Sequence, residues 1–181
     1  VNMALFQNDT DDLQLSIFRT VGAFSSVIRN AGQASTRGFE LEAMWAPSDA
    51  LRLQASYAYL DAKYDKYIDA GVNEADNRAF IHAPENSFNL LADARIARTA
   101  WGDLRGMLDY SWTDDYFTYP YQLARSGPRY NPAAAIAGDT RIKSYGVLNA
   151  RLALTDITLK GSQAEIALWS RNLTDEEQIL N

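Results

Sequence analysis

Apolar residues in this chain recur at every second position. Leu51, Leu53, Ala55, Tyr57 and Tyr59 alternate with Arg52, Gln54, Ser56 and Ala58. Phe39, Leu41, Ala43 and Trp45 alternate with Glu40, Glu42 and Met44, and Phe88 to Ile96 repeats the pattern against Asn89, Leu91, Asp93 and Arg95. Leu104 to Thr113, Leu148 to Leu154 and Ala164 to Trp169 do the same. Successive side chains of a strand point to opposite faces, so this period specifies two-faced strands, and helical spacing fits none of these windows better. The spacing predicts strands over 1–18, 24–45, 51–67, 80–96, 104–119, 143–155 and 163–172, the first interrupted by the polar run Asn8 to Asp12.

The connections alternate in length. Ala46 to Ala50, Ala97 to Asp103 and Thr155 to Ser162 read as short turns; the hairpin around Val21-Gly22 is short as well, although it falls on the long-loop side. The segments 68–79 and 120–142 read as longer loops rich in Gly, Pro, Asn and Asp. Short turns at one end and long loops at the other are the habit of outer-membrane barrels. A strand from Leu51 to Tyr67 would be roughly 55 Å long at ~3.3 Å per residue, whereas crossing the hydrocarbon takes about 9–11 tilted residues. The excess implies strands that project beyond the membrane.

Aromatic residues sharpen this picture. Tyr57, Tyr59, Tyr64, Tyr67, Tyr110, Trp112, Tyr116, Phe117 and Tyr119 gather toward the long-loop ends, and Trp45 and Trp101 sit by the short turns. Two belts at opposite ends suggest two membrane–water interfaces, although high β-propensity alone accounts for the number of rings. No run approaches the ~20 apolar residues of a spanning helix, and no signal peptide opens the chain. The mean hydropathy of −0.30 decides nothing, because a barrel's alternation averages out. The net charge of −6 argues against a nucleic-acid partner, since phosphate binding needs a basic surface.

Local motifs now resemble a known family. Asn30 to Glu42, read as NAGQASTRGFELE, resembles the "NAG…GxExE" strand of TonB-dependent outer-membrane receptors. Trp45-Ala46-Pro47, Leu51 to Tyr64, Ala83 to Asn89 and Asn172-Leu173-Thr174-Asp175-Glu176 are similar to further elements of that family, in the same order. The resemblance implies an all-β, antiparallel, up-and-down transmembrane β-barrel segment of about seven long strands, an incomplete barrel. On this reading residues 1–181 are the C-terminal part of the receptor barrel, with the plug domain and TonB box absent. Gln178 stands where the family usually shows Tyr, and a closing strand with a terminal aromatic is expected beyond it.

The same resemblance implies a function: active uptake of a scarce nutrient, such as a ferric siderophore or corrinoid, across the outer membrane of a Gram-negative bacterium. The implied partners are outer-membrane lipid, the TonB–ExbB–ExbD energy-coupling system acting through the plug, and a small-molecule iron chelate. A passive porin-like or small structural barrel, and a soluble β-sandwich binding module, remain as alternatives. In a small free-standing barrel the interior charges would have to pair with one another.

Candidate residues follow from the faces and loops. Glu40, Glu42, Arg52, Gln54, Asp93, Arg95, Arg105, Asp109, Arg151, Glu165 and Arg171 lie opposite the apolar positions and would line the lumen. A half-solvated antiparallel sheet would present the same polar face. In the loops, Tyr119, Tyr121, Arg125, Arg129 and Tyr130 offer stacking and anion-binding groups for a ligand. No enzyme is expected. His82 is the sole histidine, no nucleophile-elbow pattern surrounds a serine, and no cofactor motif is present. The clusters Asp9/Asp11/Asp12 and Asp114/Asp115 lack the spacing of a calcium loop and read as solvated carboxylates, so no metal is expected.

Overall fold

The computed structural model describes residues 1–19, 25–69 and 71–177, with backbone alone at 15–19, 25–29 and 31. The hairpin at Val21-Gly22 and the position of Gln178 lie outside the described residues. The chain forms β1 (Asn2–Arg19), β2 (Ser25–Ser48), β3 (Leu51–Asp69), β4 (Val72–Asn73), β5 (Asn86–Thr99), β6 (Gly102–Thr113), β7 (Tyr116–Phe117), β8 (Arg141–Ile142), β9 (Tyr145–Leu159) and β10 (Ser162–Ser170). Seven long strands build one antiparallel sheet in the order β1-β2-β3-β5-β6-β9-β10, so each long strand pairs with the next long strand along the chain. The sheet is open: β1 and β10 are its two edges, as expected of an incomplete barrel. Among the described residues the only helical pieces are single 3₁₀ turns at Ala75–Asn77 and Ala137–Thr140.

The register turns each strand's alternation into two coherent faces. Trp45, Leu53, Ala92, Leu108 and Ala150 form one cross-strand row, and Ala43, Ala55, Leu90, Tyr110 and Leu148 form the next. Leu41, Tyr57, Phe88 and Trp112 make a third, in which the Phe88 and Trp112 rings stack at 5.5 Å. On this face large side chains stay uncovered: Leu5 is 75% exposed, Leu168 77% and Ile166 70%. Among the described residues no second layer covers them, and soluble proteins rarely expose a continuous apolar face of this extent.

Along the outermost part of β2 and β3 the two faces exchange character. Above the Phe39 and Tyr59 pair, the apolar face becomes charged within one step, at Gln7, Arg37 and Asp61, then Asp9, Ser35 and Lys63. The opposite face becomes apolar over the same stretch, ending in the buried cluster of Ala34, Tyr64 and Tyr67, against which Leu13, Ala75 and Phe80 pack. Tyr64 and Tyr67 share a side because the β2–β3 register slips there: Ala34 pairs with Tyr64, Gln33 with Lys66 and Gly32 with Tyr67, which leaves Asp65 as the extra residue of a bulge. The aromatic belt expected from the sequence is therefore split. Tyr57 and Tyr59 sit on the exposed apolar face beside Phe39, and Tyr64 and Tyr67 form a small interior core.

Several boundaries differ from the sequence reading. The strand expected over 80–96 begins only at Asn86, because His82 adopts φ 51° and Pro84 has no N–H to give a ladder. The strand expected over 104–119 stops at Thr113, and Tyr116–Phe117 pairs separately with Arg141–Ile142. The loops are correspondingly longer than 68–79 and 120–142. The short turns are tighter than expected, with two residues each at Asp49-Ala50, Ala100-Trp101 and Lys160-Gly161. The last has positive φ at both positions, as a type I′ turn requires. The polar run in β1 is absorbed as a bulge between Thr10 and Leu13, with Asp12 at φ 54°.

Gly38 shows why its motif position carries glycine. A Cβ there would lie 2.8 Å from the Phe6 ring and still closer to the Tyr59 carbonyl oxygen. Phe6 thus covers backbone that a side chain would otherwise occupy. Gly38→Val is expected to destabilise the intact protein by about 1–3 kcal/mol, the usual range for overpacking, in urea titration of the detergent-solubilised protein. An unchanged midpoint would contradict this packing.

Candidate functional site

The register gathers the polar positions onto one face. Arg52 stands opposite Asp93, Gln54 is level with Leu91 and Asp109, and Arg95 is opposite Arg105. Arg105 donates to Asp93 at 2.8 Å, Arg95 reaches Asp103 at 3.5 Å, and Arg151 pairs with Glu165. Asp109 accepts from Asn89 at 2.9 Å and from Asn149 at 3.0 Å, so one carboxylate ties together β5, β6 and β9. Glu40, Glu42 and Arg52 are exposed on this face, and the Arg171 guanidinium lies 5.5 Å from the centre of the Trp169 ring. The Asn172 to Glu176 motif closes the same network. The Asn172 N–H donates to Asn149 Oδ1 at 3.0 Å, and the Asn172 side chain exchanges two hydrogen bonds with the Glu176 backbone.

At the far end, residues 71–85 and 114–144 fold against each other. The Ala79 N–H donates to the Tyr121 carbonyl, Leu123 to Asn77 and His82 to Phe117. Two buried amides organise this contact. The Asn77 side chain accepts from the Ala124 N–H at 2.9 Å and donates to Glu74 and to the Arg129 carbonyl. Gln122 donates to the Asn131 carbonyl at 2.8 Å and accepts from the Asn131 N–H. A buried amide left unpaired costs about 1–3 kcal/mol, so these pairings fix the loop path. The first loop is moored to β3 by Arg78, which bonds Asp69 at 2.7 Å over the Tyr67 ring, and by Phe80 against Tyr64.

The loop residues singled out in the sequence all lie in the second of these segments, in different settings. Tyr119 and Tyr121 stack at 5.6 Å, nearly parallel, with Tyr119 exposed. Tyr130 is exposed too, and one guanidinium nitrogen of Arg125 reaches Gly138, where a Cβ would collide with it. Arg129 is engaged across the loops: it pairs with both Asp76 oxygens and lies 3.9 Å from Glu74. Among the described residues Arg125 forms no ion pair with a carboxylate. Asn77 and Gln122 escaped the sequence reading, since nothing in the pattern separates a buried loop amide from a solvated one. Of the acidic clusters, Asp11 accepts from Gln33, Asp115 from Arg141 and Asp114 from Asn86. No group of three metal-ligating side chains occurs among the described residues.

The hydrogen bond from Arg129 holds the Asp76 carboxyl below the usual aspartate range, and Arg141 does the same for Asp115. A carboxylate with a depressed folded pKa contributes stability above its unfolded pKa of ~3.9 and loses it as pH falls through the folded value. Amide protection in the two loops is therefore expected to stay level from about pH 8 to about 4 and to fall only below that. Hydrogen exchange at several pH values checks this; a drop near pH 6 would assign the control elsewhere.

Comparison with known proteins places this architecture. Residues 1–173 match the model of the TonB dependent receptor-like β-barrel. Over 58 residues the chain is 41% identical to the ferrioxamine B receptor of Salmonella typhimurium, in strains SL1344 and LT2, a stretch covering 32% of this chain and 8% of that protein. The crystal structure of the ferric yersiniabactin uptake receptor FyuA from Yersinia pestis superposes with a TM-score of 0.67 at 18% identity, covering 96% of this chain and 22% of that one. The chain thus spans a minor part of the length of each. Members of the matched family are transport receptors of the Gram-negative outer membrane. With an open sheet of seven long strands, one exposed apolar face and a family match over nearly its whole length, this chain belongs to the TonB-dependent receptor β-barrels.

Proposed function

We propose that residues 1–181 contribute C-terminal strands to the barrel of an outer-membrane receptor that takes up a ferric siderophore. The plug domain and its contact with TonB–ExbB–ExbD belong, on this reading, to the rest of the receptor. The observation that carries it is the uncovered apolar face. Its rows from Leu51 to Tyr59 span nine residues, the length that a tilted strand needs to cross the hydrocarbon. Phe39, Tyr57, Tyr59, Phe88, Tyr110 and Trp112 form an aromatic rim at one end, and Trp45 and Trp101 mark the other. The switch to Arg37, Asp61 and Lys63 just beyond Phe39 and Tyr59 sets the outer boundary of lipid. The opposite face, with its paired charges, then faces the lumen.

Iron chelates are the ligand class named for both relatives, and the loops offer groups suited to one. The stacked Tyr119 and Tyr121 rings, Tyr130 and Arg125 provide aromatic surface and a cation not engaged with a carboxylate. Arg129 is the less available charge, because Asp76 and Glu74 already hold it.

Two outcomes test this reading. Leu90→Arg, on the lipid-facing rows, is expected to cost about 2–4 kcal/mol in vesicle-embedded protein, while Gln54→Arg on the lumen face costs far less. Equal costs would overturn the assignment of faces. Arg125→Ala is expected to weaken binding of an anionic ferric siderophore by about tenfold, as loss of a charged hydrogen bond does. Unchanged affinity in direct titration with ferric siderophores would remove Arg125 from the site.

A further inference from the structure

Nothing in the sheet requires the two long loops to meet, since they leave from different hairpins. Yet the 71–85 loop lies on the inner face of β3, and the 114–144 loop lies on the 71–85 loop. The second loop's contact with the first runs through backbone pairs at Ala79–Tyr121, Leu123–Asn77 and His82–Phe117. Asn77 sits at the centre of that contact, 4% exposed, with its oxygen on the Ala124 N–H and its nitrogen shared between Glu74 and the Arg129 carbonyl. The Arg129 side chain then returns to Asp76, the residue before Asn77. A single side chain thus holds both sides of the Ala124 to Arg129 excursion.

Gln122 carries this order further. Its amide fixes Asn131 and reaches the Ala134 carbonyl at 3.5 Å, and its own carbonyl accepts from the Ala137 N–H. Because Gln122 also bridges Arg78, the residue after Asn77, the Gln122 to Ala137 part of the long loop is ordered from its contact with the short one, while β7, β8 and the Arg141–Asp115 pair close its base. Among the described residues the long loop buries Thr118, Gln122, Ala137 and Ile142: Gln122 takes the Ala137 N–H beside the seam, while Thr118 bonds the Thr140 carbonyl and Ile142 pairs with Tyr116 at the loop's base. Buried polar groups that satisfy one another separate only at the cost of desolvating all of them together, so such a seam opens as a unit or not at all.

We propose that the two loops form one cooperative body, a compound roof hinged on β3 and keyed by Asn77, which opens as a whole rather than loop by loop. A ligand touching Tyr119 or Tyr121 then acts on the 71–85 loop, and through Arg78 and Phe80 on the inner wall of β3, without contacting either. The body exists whether or not the bound ligand is an iron chelate, so its test needs no ligand.

Hydrogen–deuterium exchange on the intact protein in vesicles, wild type against Asn77→Ala, reads this directly. The expected result is a rise of tenfold or more in exchange at Ala79, Leu123 and Ala124. A matching rise is expected at Ala137, whose hydrogen bond lies wholly inside the long loop, with the β5–β6 amides unchanged. Faster exchange confined to Ala124, or to one loop alone, would overturn the proposal. Arg129→Asp sets three carboxylates together and is expected to loosen both loops in the same joint manner. The exchanged pair Asp76→Arg with Arg129→Asp is expected to restore protection in both. Restoration in only one loop would show two independent loops.

Discussion

The rest of the structure depends on the register of the antiparallel ladder. Backbone groups in a membrane have no water to bond, so each strand must give its N–H and C=O groups to neighbours along its lipid-embedded length. The alternation of a single strand states only that it has two sides. Registered pairing of Trp45 with Leu53, Leu53 with Ala92 and Ala92 with Leu108 makes those sides continuous across the sheet. A slip of one residue at any pair would carry charged residues of the polar face onto the apolar one. The cross-strand bonds of Asp93, Asp109 and Glu165 on the polar face work against such slips, since each partner is reachable in one register only.

Energetics of the two faces are correspondingly unequal. Burying a large aliphatic side chain is worth about 1.5–3 kcal/mol, and the uncovered face carries Met3, Leu5, Leu90, Leu108, Leu152, Ile166 and Leu168 among others. Their sum is comparable with the entire net stability of an ordinary domain, ~5–15 kcal/mol. The ion pairs on the polar face are a fifth to a half exposed and individually worth little. Their role is alignment. The loops stand on a third footing, with a small aromatic core at Tyr64 and Tyr67 and a seam of satisfied amides above it.

What the sequence disclosed, and what it withheld, follows from the range of each interaction. Strand number, faces and the short-turn/long-loop alternation come from neighbours one or two residues apart, and for that reason the sequence already groups the polar positions from Glu40 to Glu165 on one side. The partner of Arg129 was not, since Asp76 is 53 residues away and no local pattern points to it. The division of the tyrosines was hidden in part. Tyr64, at an even position, leaves the side of Tyr57 and Tyr59 by alternation alone, but Tyr67 joins it only because of the extra residue at Asp65, which no local pattern announces. The early end of β6 came from Asp114, whose carboxylate is taken by Asn86 and by the Asp115 N–H in place of a ladder.

The bulge at Asp65 amounts to a change of phase. Below it even-numbered residues of β3 lie on the polar side; above it an odd-numbered one, Tyr67, joins that side. Changes of chain length within β3 are therefore quantised. Below the bulge residues can be added or lost in pairs without exchanging inside for outside, and a single insertion is tolerable only where a bulge is created or erased. The projecting part of the strand can lengthen by any number provided the bulge count changes in step. Variation in loop height among barrels of this type thus has a parity rule, set by the membrane beneath and read out by which aromatic rings reach the core under the loops.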